Sequence, residues 1–280
     1  MASWRWLRPR KHDTALMFVR LAAPMAIAGA WVVELTEYAG YLALLLAQTV
    51  GWCVFRPVRL RAVAYELWKI GVASLMIVTL CSFFIGMVLA LQSAYQMQRL
   101  GAEIYIASLV SLSVVREIGP VMTALIVAGR CGSAIAAELG TMKVTEQVDA
   151  LVTLAVDPIR HLVAPRFIAA LIALPILTLW SDAVGILGGF VLGTVKLSIL
   201  PSLYWKMTTL PLVFKDLATG LWKSVIFGGI ICIVSCLEGF HTRGGAEGVE
   251  RATTRAVVTS FLLVILADCL VTAIFYFIWT

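Results

Sequence analysis

Charge is scarce in this chain. Only 14% of its 280 residues are Asp, Glu, Lys or Arg, against 61% that are hydrophobic. A water-soluble domain of this length cannot hide so much apolar surface in one core, so part of the solvent must be lipid. Histidine is scarcer still: His12, His161 and His241 lie far apart, and none begins an H-x-x-x-x-D pair. A membrane acyltransferase therefore has little support. The six cysteines show neither a zinc spacing nor a disulfide framework. Cys81, Cys232, Cys236 and Cys269 fall inside apolar runs and read as small buried hydrophobes. A phosphate-binding G-x-x-x-x-G-K-S/T loop is missing too, although Gly239 to Gly248 is glycine-rich. Neither a catalytic residue nor a metal ligand set is expected.

What the chain does have is long uncharged runs. Ile70 to Gln98 carries no charge, Phe167 to Ser181 continues past one aspartate to Val195, and Ala256 to Trp279 is interrupted only by Asp268. Crossing roughly 30 Å of hydrocarbon takes about 20 helical residues. Strands of a membrane barrel would instead alternate polar and apolar positions over about 10 residues. The expected fold is all-α and integral to the membrane.

The net charge of +6 does not point to nucleic acid, because the basic residues flank the apolar runs. Arg5, Arg8, Arg10 and Lys11 precede the first run, and Arg56, Arg59, Arg61 and Lys69 precede the second. Cytoplasmic flanks of membrane helices have this composition. The first cluster and Ala28-Gly29-Ala30 faintly imitate a cleavable signal, but Arg20 breaks the run and it resumes after Ala30. Leu21 to Phe55 is divided by Glu34 and Glu37. Were it to span, its two basic flanks would lie on opposite sides, against the positive-inside rule. It is expected to lie in the interface as an amphipathic helix.

Five spans then follow, covering about Ile70 to Gln92, Ile104 to Gly129 with an extension to Glu138, Phe167 to Val195, Leu217 to Leu237 and Ala256 to Trp279. The amino terminus is cytoplasmic and the carboxyl terminus external. Lys196, Lys206 and Lys215 on the external side fit the rule less well. Two regions are expected, an amino-terminal interfacial helical region over 1–60 and a membrane-spanning domain over 61–280. Gly185, Gly189 and Gly193 form one small-residue ridge, and Ala128, Gly132, Ala136 and Gly140 form another. Such ridges bring helices close within a bundle or against a second copy.

Two places break the apolar pattern. In the stretch Thr141 to Arg166, Thr145 is placed to cap a short helix with Glu146 and Asp149 in its first turn. Val148, Leu151, Val152 and Ala155 share one face, and Asp157-Pro158 stops it. A short amphipathic helix between spans suits a groove on a soluble partner. It suits equally a loop helix lying on its own bundle.

This segment, Glu146-Gln147-Val148-Asp149-Ala150-Leu151 followed by Ala155-Val156-Asp157-Pro158, resembles the coupling segment of MlaE-type permeases. The resemblance extends over Phe84-Ile85-Gly86-Met87-Val88, Arg116-Glu117-Ile118-Gly119-Pro120, Ala128-Gly129-Arg130 through Ala137-Glu138, Pro165-Arg166-Phe167 and Arg251-Ala252-Thr253-Thr254-Arg255. It is loose over the first 60 residues or so. It implies a homodimer of permeases in a bacterial inner membrane, two cytoplasmic ABC ATPase subunits and a periplasmic ring of MCE-domain proteins. It further implies that the partner ATPase binds ATP, that the permease itself carries no cofactor, and that phospholipids or related lipids move between inner and outer membranes. Glu146, Gln147, Asp149, Leu151 and Asp157 would then contact the ATPase.

The second break is a set of charges inside the spans: Arg116, Glu117, Asp182, Lys223 and Asp268. Each costs roughly 2.5 to 3.5 kcal/mol at a bilayer centre unless it faces water or a partner. Arg116 precedes Arg130 by 14 residues, about 21 Å at helical rise, which puts it in the outer leaflet. Arg116, Glu117 and Lys223 are expected to line a headgroup pocket, with Met87, Leu91 and Tyr95 as its apolar wall. The competing reading is an internal ion pair that holds the bundle together. Asp182 and Asp268 are expected to be structural partners or caps. Other classes predict different features: an ion-driven secondary transporter would show repeated halves, and no repeat is visible; a membrane-embedded lipid enzyme would turn over lipid without an ATPase.

Overall fold

The computed structural model describes residues 24–55 and 59–279. Every regular element among them is a helix. The sequence places no run of alternating residues that would make a sheet, and with lipid as solvent each backbone amide must bond within its own segment. We number the helices α1 Pro24–Phe55, α2 Leu60–Arg99, α3 Glu103–Val144, α4 Gln147–Thr153, α5 Ile159–Val195, α6 Pro201–Thr209, α7 Phe214–Phe240 and α8 Gly245–Trp279. Five of them, α2, α3, α5, α7 and α8, are long and apolar enough to cross a membrane, as the uncharged runs require.

Helices α5 and α7 form the centre. Helix α2 lies along α5, and α3 and α8 pack against α7. Glycine makes the first contact possible: a Cβ on Gly86 would sit 1.9 Å from the Gly185 carbonyl oxygen, and one on Gly188 would sit 2.2 Å from that of Phe83. The Gly185 ridge therefore works inside the bundle. So does the Ala128 ridge, since Gly132 and Gly140 face Ser235 and Thr242 beside α7.

Helix α1 is one continuous helix of 32 residues. The Tyr38 hydroxyl donates to Glu238 Oε1 at 2.8 Å, and Tyr41 meets the His241 ring edge-on at 5.3 Å. Further along, Trp52 lies under the Arg160 guanidinium at 5.7 Å. Tyr38 and Trp52 are about 21 Å apart along the helix, yet they touch the end of α7 and the start of α5, which lie at the same end of the bundle. The helix thus runs across the bundle and not beside its length. The residues before Pro24 and the Arg56 part of the second basic cluster lie outside the described residues.

Four stretches of π-helix interrupt the spans: Trp68–Val72 in α2, Val114–Ile118 and Ala128–Gly132 in α3, and Ile159–Val163 in α5. Such turns are rare and gather at functional sites. Between α3 and α4, the expected cap is corrected. Glu146 occupies the position before the helix in a left-handed conformation, φ 61°, while the Thr145 hydroxyl bonds back to the Thr141 carbonyl at 2.8 Å. Thr145 belongs to the end of α3 because its hydroxyl finds a carbonyl one turn back. Helix α4 also ends at Thr153, so Ala155, at φ 59°, lies beyond it.

Candidate functional site

The π turn Val114–Ile118 sets two consecutive charges against one neighbour. Helix α7 presents Asp216 in its first turn and Lys223 two turns later on the same face, a separation of about 10 Å. Arg116 reaches the first: its Nε donates to Asp216 Oδ1 at 2.8 Å and its Nη2 lies 2.7 Å from the same oxygen. Glu117 reaches the second, accepting from Lys223 Nζ at 2.5 Å.

Lys223 is fully enclosed, with a side-chain exposure of 0%. Its ammonium also donates to the Arg116 carbonyl at 3.2 Å and lies 2.9 Å from Asp268 Oδ1 on α8, there without hydrogen-bond alignment. A buried ammonium persists only when carboxylates and carbonyls replace its water shell. Asp268, expected as a cap or structural partner, supplies part of that shell. Thr272 Oγ1, one turn further along α8, reaches Glu117 Oε1 at 3.3 Å.

Around these groups opens a cleft of about 510 Å³ lined by Arg116, Glu117, Lys215, Asp216, Lys223 and Thr272, with Val213, Thr219, Phe275 and Tyr276 completing its wall. The three charged residues expected from the sequence are therefore brought together. The apolar wall is different. Met87, Leu91 and Tyr95 do not line the cleft; Leu91 and Tyr95 are exposed on the outer face of α2, where the Arg99 guanidinium stacks over the Tyr95 ring at 4.5 Å. Helical phase explains the difference: the buried stripe of α2 is Val78, Ser82, Gly86, Ala90 and Ala94, and it faces α5 and α3. Val213, Phe275 and Tyr276 stand in place of those residues. Asp216 was missed in the sequence, although it lies seven residues before Lys223 and is the complement that Arg116 needs.

Asp182 lies elsewhere. It is buried in α5 beside Gly119, where a Cβ would come within 1.7 Å of its Oδ1, an atom with no hydrogen-bond partner. In the coupling stretch, Glu146, Gln147 and Asp149 are exposed, and Leu151 and Asp157 are half-buried. Lys143 holds Asp149 at 3.0 Å. Asp157 Oδ1 accepts from the Arg160 backbone amide at 3.1 Å, capping the start of α5, and partial burial pushes its carboxyl pKa up. Val144, Val152, Leu154 and Val156 leave an exposed apolar strip around α4.

Residues 63–274, which contain the coupling stretch and every charged residue of the cleft, match the family model described as Permease MlaE. The chain belongs to the MlaE permease family. A probable ABC transporter permease protein of Rickettsia typhi is 44% identical over 250 residues, 89% of this chain and 96% of that one. The intermembrane phospholipid transport system permease protein MlaE of Haemophilus influenzae is 40% identical over 212 residues, 75% of this chain and 81% of its own. Arabidopsis thaliana has a relative, the chloroplastic protein trigalactosyldiacylglycerol 1, that is 40% identical over 211 residues, 75% of this chain and 60% of the plant protein. This MlaE-family permease is thus a multi-pass membrane protein whose coupling stretch and cleft charges fall inside the matched region, with Phe275 and Tyr276 of the cleft wall just beyond it.

Proposed function

We propose that the chain is the membrane-spanning subunit of an ABC-type transporter moving phospholipids between the inner and outer membranes of a bacterium. The relatives named as ABC permeases and as a phospholipid transport permease support this reading. The single observation that carries it is the charged cleft at the end of the bundle away from α1. Its charges balance: Arg116, Lys215 and Lys223 face Glu117, Asp216 and Asp268. A zwitterionic headgroup fits such a surface, its phosphate at the half-exposed Arg116 and its cation at Glu117. Lys223 is a positioning residue, holding Glu117 in place. Acyl chains would lie against Phe275 and Tyr276, and Met87, Leu91 and Tyr95 would meet lipid tails or a second copy on the outer face of α2.

Within this reading the α1 end is cytoplasmic, and α1 lies in the interface; a second permease copy and a periplasmic MCE-domain protein complete the membrane part. ATP is bound by a separate ATPase, which receives α4 and the apolar strip around it. Glu146, Gln147, Asp149, Leu151 and Asp157 are the contacts we assign to it. The first test is Arg116→Gln. It should leave the complex assembled, because the glutamine amide keeps a donor for Asp216, but lower copurifying phospholipid and transport through loss of the cation; unchanged lipid occupancy would remove the headgroup assignment. The second is Glu146→Lys with Asp149→Lys. Both side chains are exposed, so folding should be unaffected while ATPase copurification falls; full coupling in the double variant would sink the contact surface.

A further inference from the structure

A second charged cleft sits at the α1 end of the spans, and it has a different balance. Arg166, only 3% exposed, lies 3.2 Å from Glu66 and 2.8 Å from Glu138, and Lys69 Nζ holds the other oxygen of Glu138 at 2.5 Å. Those three contacts use both carboxylates. Arg130 is left with the hydroxyl of Ser74 at 2.9 Å and the thiol of Cys131 at 4.0 Å, and with no carboxylate among the described residues. Three cations against two carboxylates leave one positive charge uncompensated.

That charge faces open space. Glu66, Lys69, Ile70, Arg130, Cys131, Ala134 and Ile135 line a cleft of about 280 Å³. On the other side of the cleft Glu66 is nine-tenths buried, and its Oε2 has no hydrogen-bond partner. The site therefore offers two free donors on Lys69, the outer guanidinium donors of Arg130 and one unused acceptor. Lys69 and Arg130 both sit on π turns, Trp68–Val72 and Ala128–Gly132, as Arg116 and Glu117 do in the first cleft. Arg130 follows Arg116 by 14 residues on the same helix, about 21 Å along it, so the two clefts lie at different depths of the bilayer.

We propose that this cleft binds the phosphate of a phospholipid headgroup from the cytoplasmic leaflet, with Arg130 and Lys69 as the phosphate donors. Glu66 Oε2 accepts from a hydrogen-bond donor carried by the same headgroup, as the ammonium of phosphatidylethanolamine would be. The inference rests on the proposed lipid function only for its occupant; the uncompensated cation and the unused acceptor stand on the geometry.

The test uses the full chain in detergent and native mass spectrometry with dioleoyl phosphatidylethanolamine, dioleoylglycerol and inorganic phosphate as probes. Arg130→Gln should weaken binding of one phosphatidylethanolamine by about tenfold, and Lys69→Gln should weaken the same binding event. Arg130→Lys, which keeps the charge, should retain most of it. Dioleoylglycerol, which has the tails without the phosphate, should bind equally to all variants. Equal phosphatidylethanolamine binding by wild type, Arg130→Gln and Lys69→Gln would overturn the proposal. Arg130-dependent binding of inorganic phosphate without Arg130-dependent lipid binding would overturn it as well, by assigning the site to a soluble anion. Arg116→Gln reads the first cleft separately: a loss there with none in Arg130→Gln defeats this proposal alone, and the reverse defeats the first assignment alone. Should Arg130→Gln fail to fold, Lys69→Gln, at a partly exposed side chain, carries the decision.

Discussion

At the far end of the bundle Lys223 is fully enclosed with carboxylates on two neighbouring helices, whereas at the α1 end Arg130 lines a cleft and pairs with no carboxylate among the described residues. Both clefts are built on π turns of α3. Their difference lies in what each charge is bonded to. A buried charge that is fully paired holds helices together, and removing its partner leaves an uncompensated ion. A charge left half-open contributes little to folding and is available to a ligand. Arg166 and Lys223, each enclosed between two carboxylates, are closer to the first kind; Arg130 is of the second, and half-exposed Arg116, held by buried Asp216, stands between them.

The comparison can be broken most directly at Arg166. Arg166→Met leaves Glu66 nine-tenths buried without a cation and should cost about 3–5 kcal/mol, read as a large drop in thermal stability of the purified permease. Lys223→Met strands Glu117 and Asp268, but Glu117 is 43% exposed and can be hydrated. The expected loss is smaller, about 2–3 kcal/mol. If Lys223→Met is as stable as wild type, the paired class has no energetic meaning.

Packing between α2 and α5 supplies a reference that involves no charge. Gly188→Ala would drive a Cβ to 2.2 Å from the Phe83 carbonyl oxygen, and overpacking of this kind costs about 1–3 kcal/mol. The same unfolding assay checks it. Tolerance there would mean that α2 moves on α5 freely.

A smaller effect is expected from pH. Burial and the nearby Arg243 lower the His241 pKa from 6.5 to about 4. The unfolded chain therefore takes up a proton first, so this contribution is intact above about pH 6.5 and is lost as pH falls towards about 4. His241→Gln should lose less stability than wild type between those values, and equal losses would contradict a neutral buried ring packed on Tyr41. Smallest of all is Arg130→Gln, which should change stability by no more than about 0.5 kcal/mol because no ion pair is broken. A large loss would move Arg130 into the structural class and end the comparison.

Much of this was legible beforehand. The uncharged runs required five spanning helices because lipid cannot bond a bare backbone, and the small-residue ridges required close contacts. Arg116, Glu117 and Lys223 stood out because charges in a span are costly. That Met87, Leu91 and Tyr95 lie outside this cleft has an equally plain cause: they suit it by depth alone, and depth along a helix says nothing about which way a side chain turns. Thr145 was misplaced as a cap because its hydroxyl had two backbone groups within reach, and local sequence does not choose between them.

The sequence by itself determined the solvent, the number of crossings and which residues had to find partners, since these follow from composition and run length. Only the tertiary structure decided who the partners are. The π turns rotate Arg116 towards Asp216 and Glu117 towards Lys223, and the packing of α2, α3 and α5 spends both carboxylates near Arg130 on Lys69 and Arg166. Pairing between residues 28 to 107 positions apart depends on how whole helices lie against one another, and no local pattern carries that information.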